Sequence, residues 1–126
     1  MSEEGVRWFA RATITRWVDD DPQPGIVECR LDDAAGRSWF FIGKYYDFTQ
    51  DELRATSQYP RRGYLACDVT ARRRDDRKRE IASIDTDTPD RGRDSEEGMC
   101  AFDILADQLV ADALPAWQVL PLVSES

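Results

Sequence analysis

Val6-Arg7-Trp8-Phe9-Ala10-Arg11-Ala12-Thr13-Ile14-Thr15-Arg16-Trp17-Val18 is the stretch that decides the fold class. Trp8, Ala10, Ala12 and Ile14 stand two apart, Arg11, Thr13 and Thr15 fill the alternate positions, and Phe9 and Trp17 lie towards the ends. Successive side chains of a strand point to opposite faces, so this spacing predicts a strand with one face in a core. Its Thr and aromatic content suits a pleated, half-buried surface.

The same alternation recurs downstream. Asp19 to Gly25 holds two prolines and a glycine and reads as a loop. Ile26 to Leu31 is a second strand, and Asp32-Asp33-Ala34-Ala35-Gly36 has hairpin composition. Arg37 to Lys44 is a third. Its centre, Trp39-Phe40-Phe41-Ile42, is apolar throughout and predicts a strand covered on both faces, in the middle of a small barrel. Tyr45 and Tyr46 continue it. Thr49 with Glu52 three residues on matches a capping box, so one short helical turn or helix is expected over Gln50 to Ala55.

Tyr64 to Arg73 and Lys78 to Ile84 are the fourth and fifth strands, with Asp75-Asp76 at a hairpin tip. Asp85 to Gly98 is almost free of apolar residues and is expected to be a mobile loop. Met99 to Leu105 alternates like a last strand, while Phe102, Leu105, Ala106, Leu109, Val110 and Ala113 also fit a helical stripe. A strand followed by a short helix ending before Pro115 is preferred. The proline-broken apolar tail, 115–126, is expected to pack along the body or dock onto a partner or second copy. The expected architecture is mainly β with an α+β margin. It is a single domain, a small antiparallel barrel or curled sheet of about six strands with one or two short helices. OB-like and SH3-like barrels are the nearest common forms.

Composition narrows function. The chain has 126 residues, enough for one domain with a real core, and a formal net charge of -8. An acidic surface repels phosphate backbones and anionic membranes and is suited to a basic protein partner. No basic-then-apolar leader opens the sequence, and no apolar run approaches the roughly eighteen residues of a membrane helix, so the cytoplasm is expected. There is no histidine, which removes Ser-His-Asp and Cys-His catalysis and the commonest zinc ligand. Cys29, Cys67 and Cys100 each fall on the apolar side of an alternating run and read as buried free thiols. Asp19-Asp20-Asp21 and Asp85-Thr86-Asp87 could hold a hard cation, but neither follows the calcium-loop pattern. Glycine-rich phosphate loops and nucleophile elbows are missing. No catalytic residue, metal or cofactor is expected.

Two features could carry binding. Asp19, Asp20 and Asp21, with Tyr45 and Tyr46, are the first choice for contact with a basic protein, since Tyr is enriched at interfaces. Arg72, Arg73, Arg74, Arg77, Lys78 and Arg79 form a basic run with a local net charge of +4 across residues 72–79. That run could meet nucleic acid, or it could pair with acids of its own chain and guard a hairpin edge.

Trp17-Val18-Asp19-Asp20-Asp21-Pro22-Gln23-Pro24-Gly25-Ile26-Val27-Glu28-Cys29 and Asp33-Ala34-Ala35-Gly36-Arg37-Ser38-Trp39-Phe40-Phe41-Ile42 resemble small bacterial proteins of about this length. The chain is also similar to single-domain immunity proteins, which are acidic, compact and without catalytic groups. The resemblance spans residues 6–105 and transfers no functional residue. It implies a non-enzymatic, protein-binding role, with an inhibitor that occludes a basic partner as its concrete form. A nucleic-acid-binding or regulatory barrel using the basic hairpin is the alternative.

Overall fold

A computed structural model describes residues 7–87 and 94–111. Seven strands follow in order: β1 (Trp8–Asp19), β2 (Ile26–Asp32), β3 (Ser38–Lys44), β4 (Arg61–Arg74), β5 (Glu80–Asp85), β6 (Ala101–Leu105) and β7 (Leu109–Ala111). They pair antiparallel in the order β3-β2-β1-β4-β5-β6, and β7 returns to pair with β1. The result is a curled half-barrel, mainly β, whose helical content among the described residues is two single 3-10 turns, Tyr45–Asp47 and Ala106–Gln108.

The two longest strands make the curl. The first half of β1 pairs with β4, from Trp8 opposite Cys67 to Ile14 opposite Arg61. Its second half pairs with β2, with irregularities between Ile14 and Arg16 and between Trp17 and Asp19. β4 changes partner likewise, from β1 to β5, across an irregularity between Val69 and Ala71. Such bulges bend a strand and increase its twist. Inside the curve lie Ala10, Ile14, Val27, Cys29, Leu31, Phe41, Leu65, Ile84, Phe102 and Ile104. Phe102 meets Trp39 and Phe41 edge-on at 5.2 and 5.8 Å between ring centres, which packs β6 against β3 across the barrel.

Three hairpin connections share one geometry. In the β2–β3 turn, Asp33 accepts backbone N–H bonds from Ala35 and Arg37 on its side chain and from Gly36 on its carbonyl. In the β4–β5 turn, Asp75 accepts from Arg77 and Arg79 on its side chain and from Lys78 on its carbonyl. Before β6, Ser95 does the same with Glu97, Met99 and Gly98. Each turn needs one residue with positive φ: Gly36 at 87°, Gly98 at 83°, and Lys78 at 65°. Lys78 alone adopts it with a side chain, at a steric cost that glycine avoids. The turns also touch. Arg79 donates to the Ala34 carbonyl at 3.1 Å, and Arg37 pairs with Glu97 at 2.9 Å.

Several expectations need correction. β3 ends the pairing path instead of lying mid-barrel, and it is covered on one face: Trp39 and Phe41 are buried but Phe40 points outward, 39% exposed. Tyr45 and Tyr46 turn away from the strand into the first 3-10 turn. Gln50 to Ala55 forms bends and turns, not a helix. Thr49 does accept the Asp51 N–H, at 3.1 Å, but Leu53 has no apolar neighbour at helical spacing beyond it, so no helical face exists to bury. After β6 the chain makes one 3-10 turn and then β7 in place of the short helix. Phe9, on the face opposite Ala10, is buried too. Of the expected loop 85–98, residues 88–93 lie outside the described residues. Its described flanks are tied: Thr86 N–H donates to Cys100 and Glu96 N–H to Phe40. The tail 115–126 is also outside the described residues. No helix among the described residues is long and apolar enough to cross a membrane.

Candidate partner-binding site

Asp19 ends β1 and Asp20 and Asp21 follow it, while Tyr45 and Tyr46 follow the end of β3. Trp17 and Gly25 bring the two groups together. Gly25 has φ of 136° and is buried. A Cβ built on it would fall 2.0 Å from the Trp17 ring, so the indole lies directly against this glycine. The indole N–H donates to Asp20 at 2.9 Å, which fixes the other end of the ring. Asp19 accepts the Asp21 N–H at 3.0 Å and tightens the loop, and Gly25 N–H closes it onto Pro22 at 3.1 Å.

The Tyr45 N–H donates to the Gly25 carbonyl at 3.2 Å. This bond sets the Tyr45 ring 6.3 Å from Trp17, tilted by 32°, and Tyr46 follows edge-on at 6.2 Å. The surface is thus a row of three aromatic rings with three exposed carboxylates at one end. Tyr46 is 48% exposed and Val18 37%. Sequence reading named all five Asp and Tyr residues but left Trp17 at a strand end. The missed signal was a tryptophan three residues before an aspartate, in front of a Pro-Gly loop.

The basic run is dispersed in space. Arg73 pairs with Asp103 at 2.7 Å, Arg74 with Glu80 at 2.8 Å and Arg79 with Asp75 at 2.9 Å. Arg72 lies over the Trp8 ring at 5.3 Å. The side chains of Arg77 and Lys78 stand exposed at the hairpin tip. Burial pushes the Asp75 carboxyl up, but hydrogen bonds from Arg79 and Arg77 and the Arg79 charge outweigh it and hold the group below its ordinary value. Two shallow depressions adjoin the hairpin and share Glu80 and Ala106. One is lined also by Arg72, Arg73 and Arg74, the other by Arg79 and Asp107.

Cys29 and Cys67 are buried and Cys100 half-buried. Burial, with the neighbouring Asp68 charge, pushes the Cys67 thiol up to about 12. Burial pushes Cys100 up as well, helped by Asp85, Asp94 and Asp87. Both thiols therefore stay protonated, the unreactive form, at neutral pH.

Compared with known proteins, the chain matches no family model, no curated protein and no solved structure.

Proposed function

We propose that this chain is a non-enzymatic protein-binding module that engages a basic partner through Trp17, Tyr45, Tyr46 and the Asp19–Asp21 loop. The observation that carries the reading is the juxtaposition of the aromatic row with three exposed carboxylates, joined by the Trp17–Asp20 hydrogen bond. Aromatic rings supply contact area at little entropic cost, and they dominate binding hot spots. Trp17, fixed before binding by Asp20 and Gly25, loses little further freedom when a partner arrives. The carboxylates steer a basic protein and set the salt dependence of its arrival. An inhibitor of immunity type, which covers a partner's working surface, is the form that best suits an acidic domain of this size.

The test is a paired capture. Wild-type protein and the Asp19→Lys/Asp20→Lys/Asp21→Lys variant are immobilised and exposed to the same host lysate at low salt. A basic protein retained by the wild type, lost by the variant and eluted by salt is expected. Equal retention by both removes this surface from the interface.

Nucleic-acid binding through the hairpin is the weaker reading, because Arg73, Arg74 and Arg79 are already paired with acids of the chain. Each phosphate contact would have to displace such a pair within a net-negative field. Anisotropy titrations with single- and double-stranded DNA and RNA near physiological salt are expected to show no binding. Micromolar affinity abolished by Arg73→Glu/Arg77→Glu would reverse the ranking.

A further inference from the structure

β4 takes two partners in succession, and the handover leaves one of its edges open. From Arg61 to Cys67 it pairs with β1, and from Asp68 to Arg74 it pairs with β5 on its other side. Past Cys67 the β1 side of β4 has no strand beside it among the described residues. An open edge of this kind is a template for another strand. The start of β1 stays close to that edge, because the Arg72 guanidinium lies over the Trp8 ring at 5.3 Å.

The chain itself supplies a matching sequence. Carried past the Trp8–Cys67 pair, the register sets Arg7 opposite Asp68 and Val6 opposite Val69. Asp68 already faces Asp85 of β5, so a cation on its other flank relieves a like-charge pair. The extra residue that β4 carries between Val69 and Ala71 then shifts the count by one. Gly5 falls opposite Ala71, Glu4 opposite Arg72 and Glu3 opposite Arg73. Faces agree as well as charges. Strand alternation puts Glu4 and Val6 on the face of Trp8, the ring that Arg72 covers.

We propose that residues 3–6 form a strap that prolongs β1 along the open edge of β4, with Glu4 set against Arg72 and Glu3 against Arg73. The strap closes this edge to other strands and covers part of the basic run. A second copy or a partner strand adds to β4 only by displacing it. The inference goes beyond the binding reading above and does not depend on it.

The experiment follows amide hydrogen exchange of the isotope-labelled full chain by NMR at two protein concentrations. Among residues 69–74, the amides that point away from β5 are expected to exchange slowly, at a rate independent of concentration. Glu4→Arg and Arg72→Glu should each lower their protection about two- to five-fold, the range of a cross-strand charge pair, and the double variant should recover most of it. Core amides such as those of Ala10, Val27 and Phe41 should be unchanged throughout, which separates loss of the strap from loss of the fold. Exchange of the edge amides at the rate of an open strand in the wild type would overturn the proposal. So would single variants without effect, or a double variant no better protected than either single one. Protection that rises with concentration would also overturn it and assign the edge to a second copy.

Discussion

Gly25 and Trp17 are in contact that leaves no room for a β-carbon: an added Cβ would sit 2.0 Å from the indole. The residue also has φ of 136°, which L side chains rarely adopt. Gly25→Ala is therefore expected to destabilise the fold by about 2–3 kcal/mol, combining backbone strain with overpacking. It should also push the indole off Asp20. Urea unfolding and the Trp17 indole proton shift check the two effects together. A stable variant with an unmoved indole signal would show that the ring does not depend on this glycine.

Lys78 occupies the position that Gly36 and Gly98 fill in the two sister turns, with φ of 65°. Lys78→Gly should stabilise the protein by about 0.5–1 kcal/mol, because relief of the left-handed strain exceeds the extra entropy of glycine in the unfolded chain. Gly36→Ala should destabilise it. Thermal unfolding of both variants tests the pair, and a loss of stability in Lys78→Gly would refute the strain argument.

Asp75 and Glu28 both have carboxyls held below their ordinary values. Partial burial raises the Glu28 carboxyl, and bonds from Thr15 and Arg16 with the Arg16 charge more than reverse it. A group with a lowered folded-state value adds stability that is present above its unfolded value and is lost as pH falls through the folded one. Stability should thus decline on acidification below the ordinary carboxylate range. Asp75→Asn should be less stable at neutral pH and decline less steeply. Parallel pH-dependent curves for variant and wild type would exclude Asp75 as a contributor.

The Cys67 thiol, pushed up to about 12, should resist labelling in the native protein at neutral and mildly alkaline pH and react promptly in denaturant. Its preference for the protonated form supports the fold below the ordinary thiol value, and that support is lost as pH rises towards 12. Mass spectrometry after timed alkylation resolves the three cysteines. Rapid native labelling at Cys67 would contradict its burial.

The strands were legible in the sequence because the two-residue period is dictated by backbone geometry alone. Ala10, Ala12 and Ile14 are buried, as their spacing requires. Trp39 to Ile42 misled because continuous apolarity does not distinguish a doubly covered strand from one that ends the sheet with Phe40 outward. The Thr49–Glu52 pattern misled because a cap specifies a helix start, and the residues after Leu53 have no second apolar position to sustain one. Asp19–Asp21 and Tyr45–Tyr46 were visible separately by residue type. Their meeting through Trp17 depends on the backbone of Gly25, more than twenty residues from Tyr46 in the strand order that hairpin folding imposes, and no local pattern encodes that contact.

β1 has a consequence for synthesis. Trp8, Phe9 and Ala10 are hydrogen-bonded on one side to Leu65–Cys67 and on the other to Leu109–Ala111. One edge of this strand has no native neighbour until Leu109–Ala111 have been made, about a hundred residues later. At translation rates of ~5–20 residues per second, that interval is on the order of ten seconds. For that time a tryptophan and a phenylalanine stay on an incompletely paired strand, the kind of transient apolar edge that favours aggregation over folding.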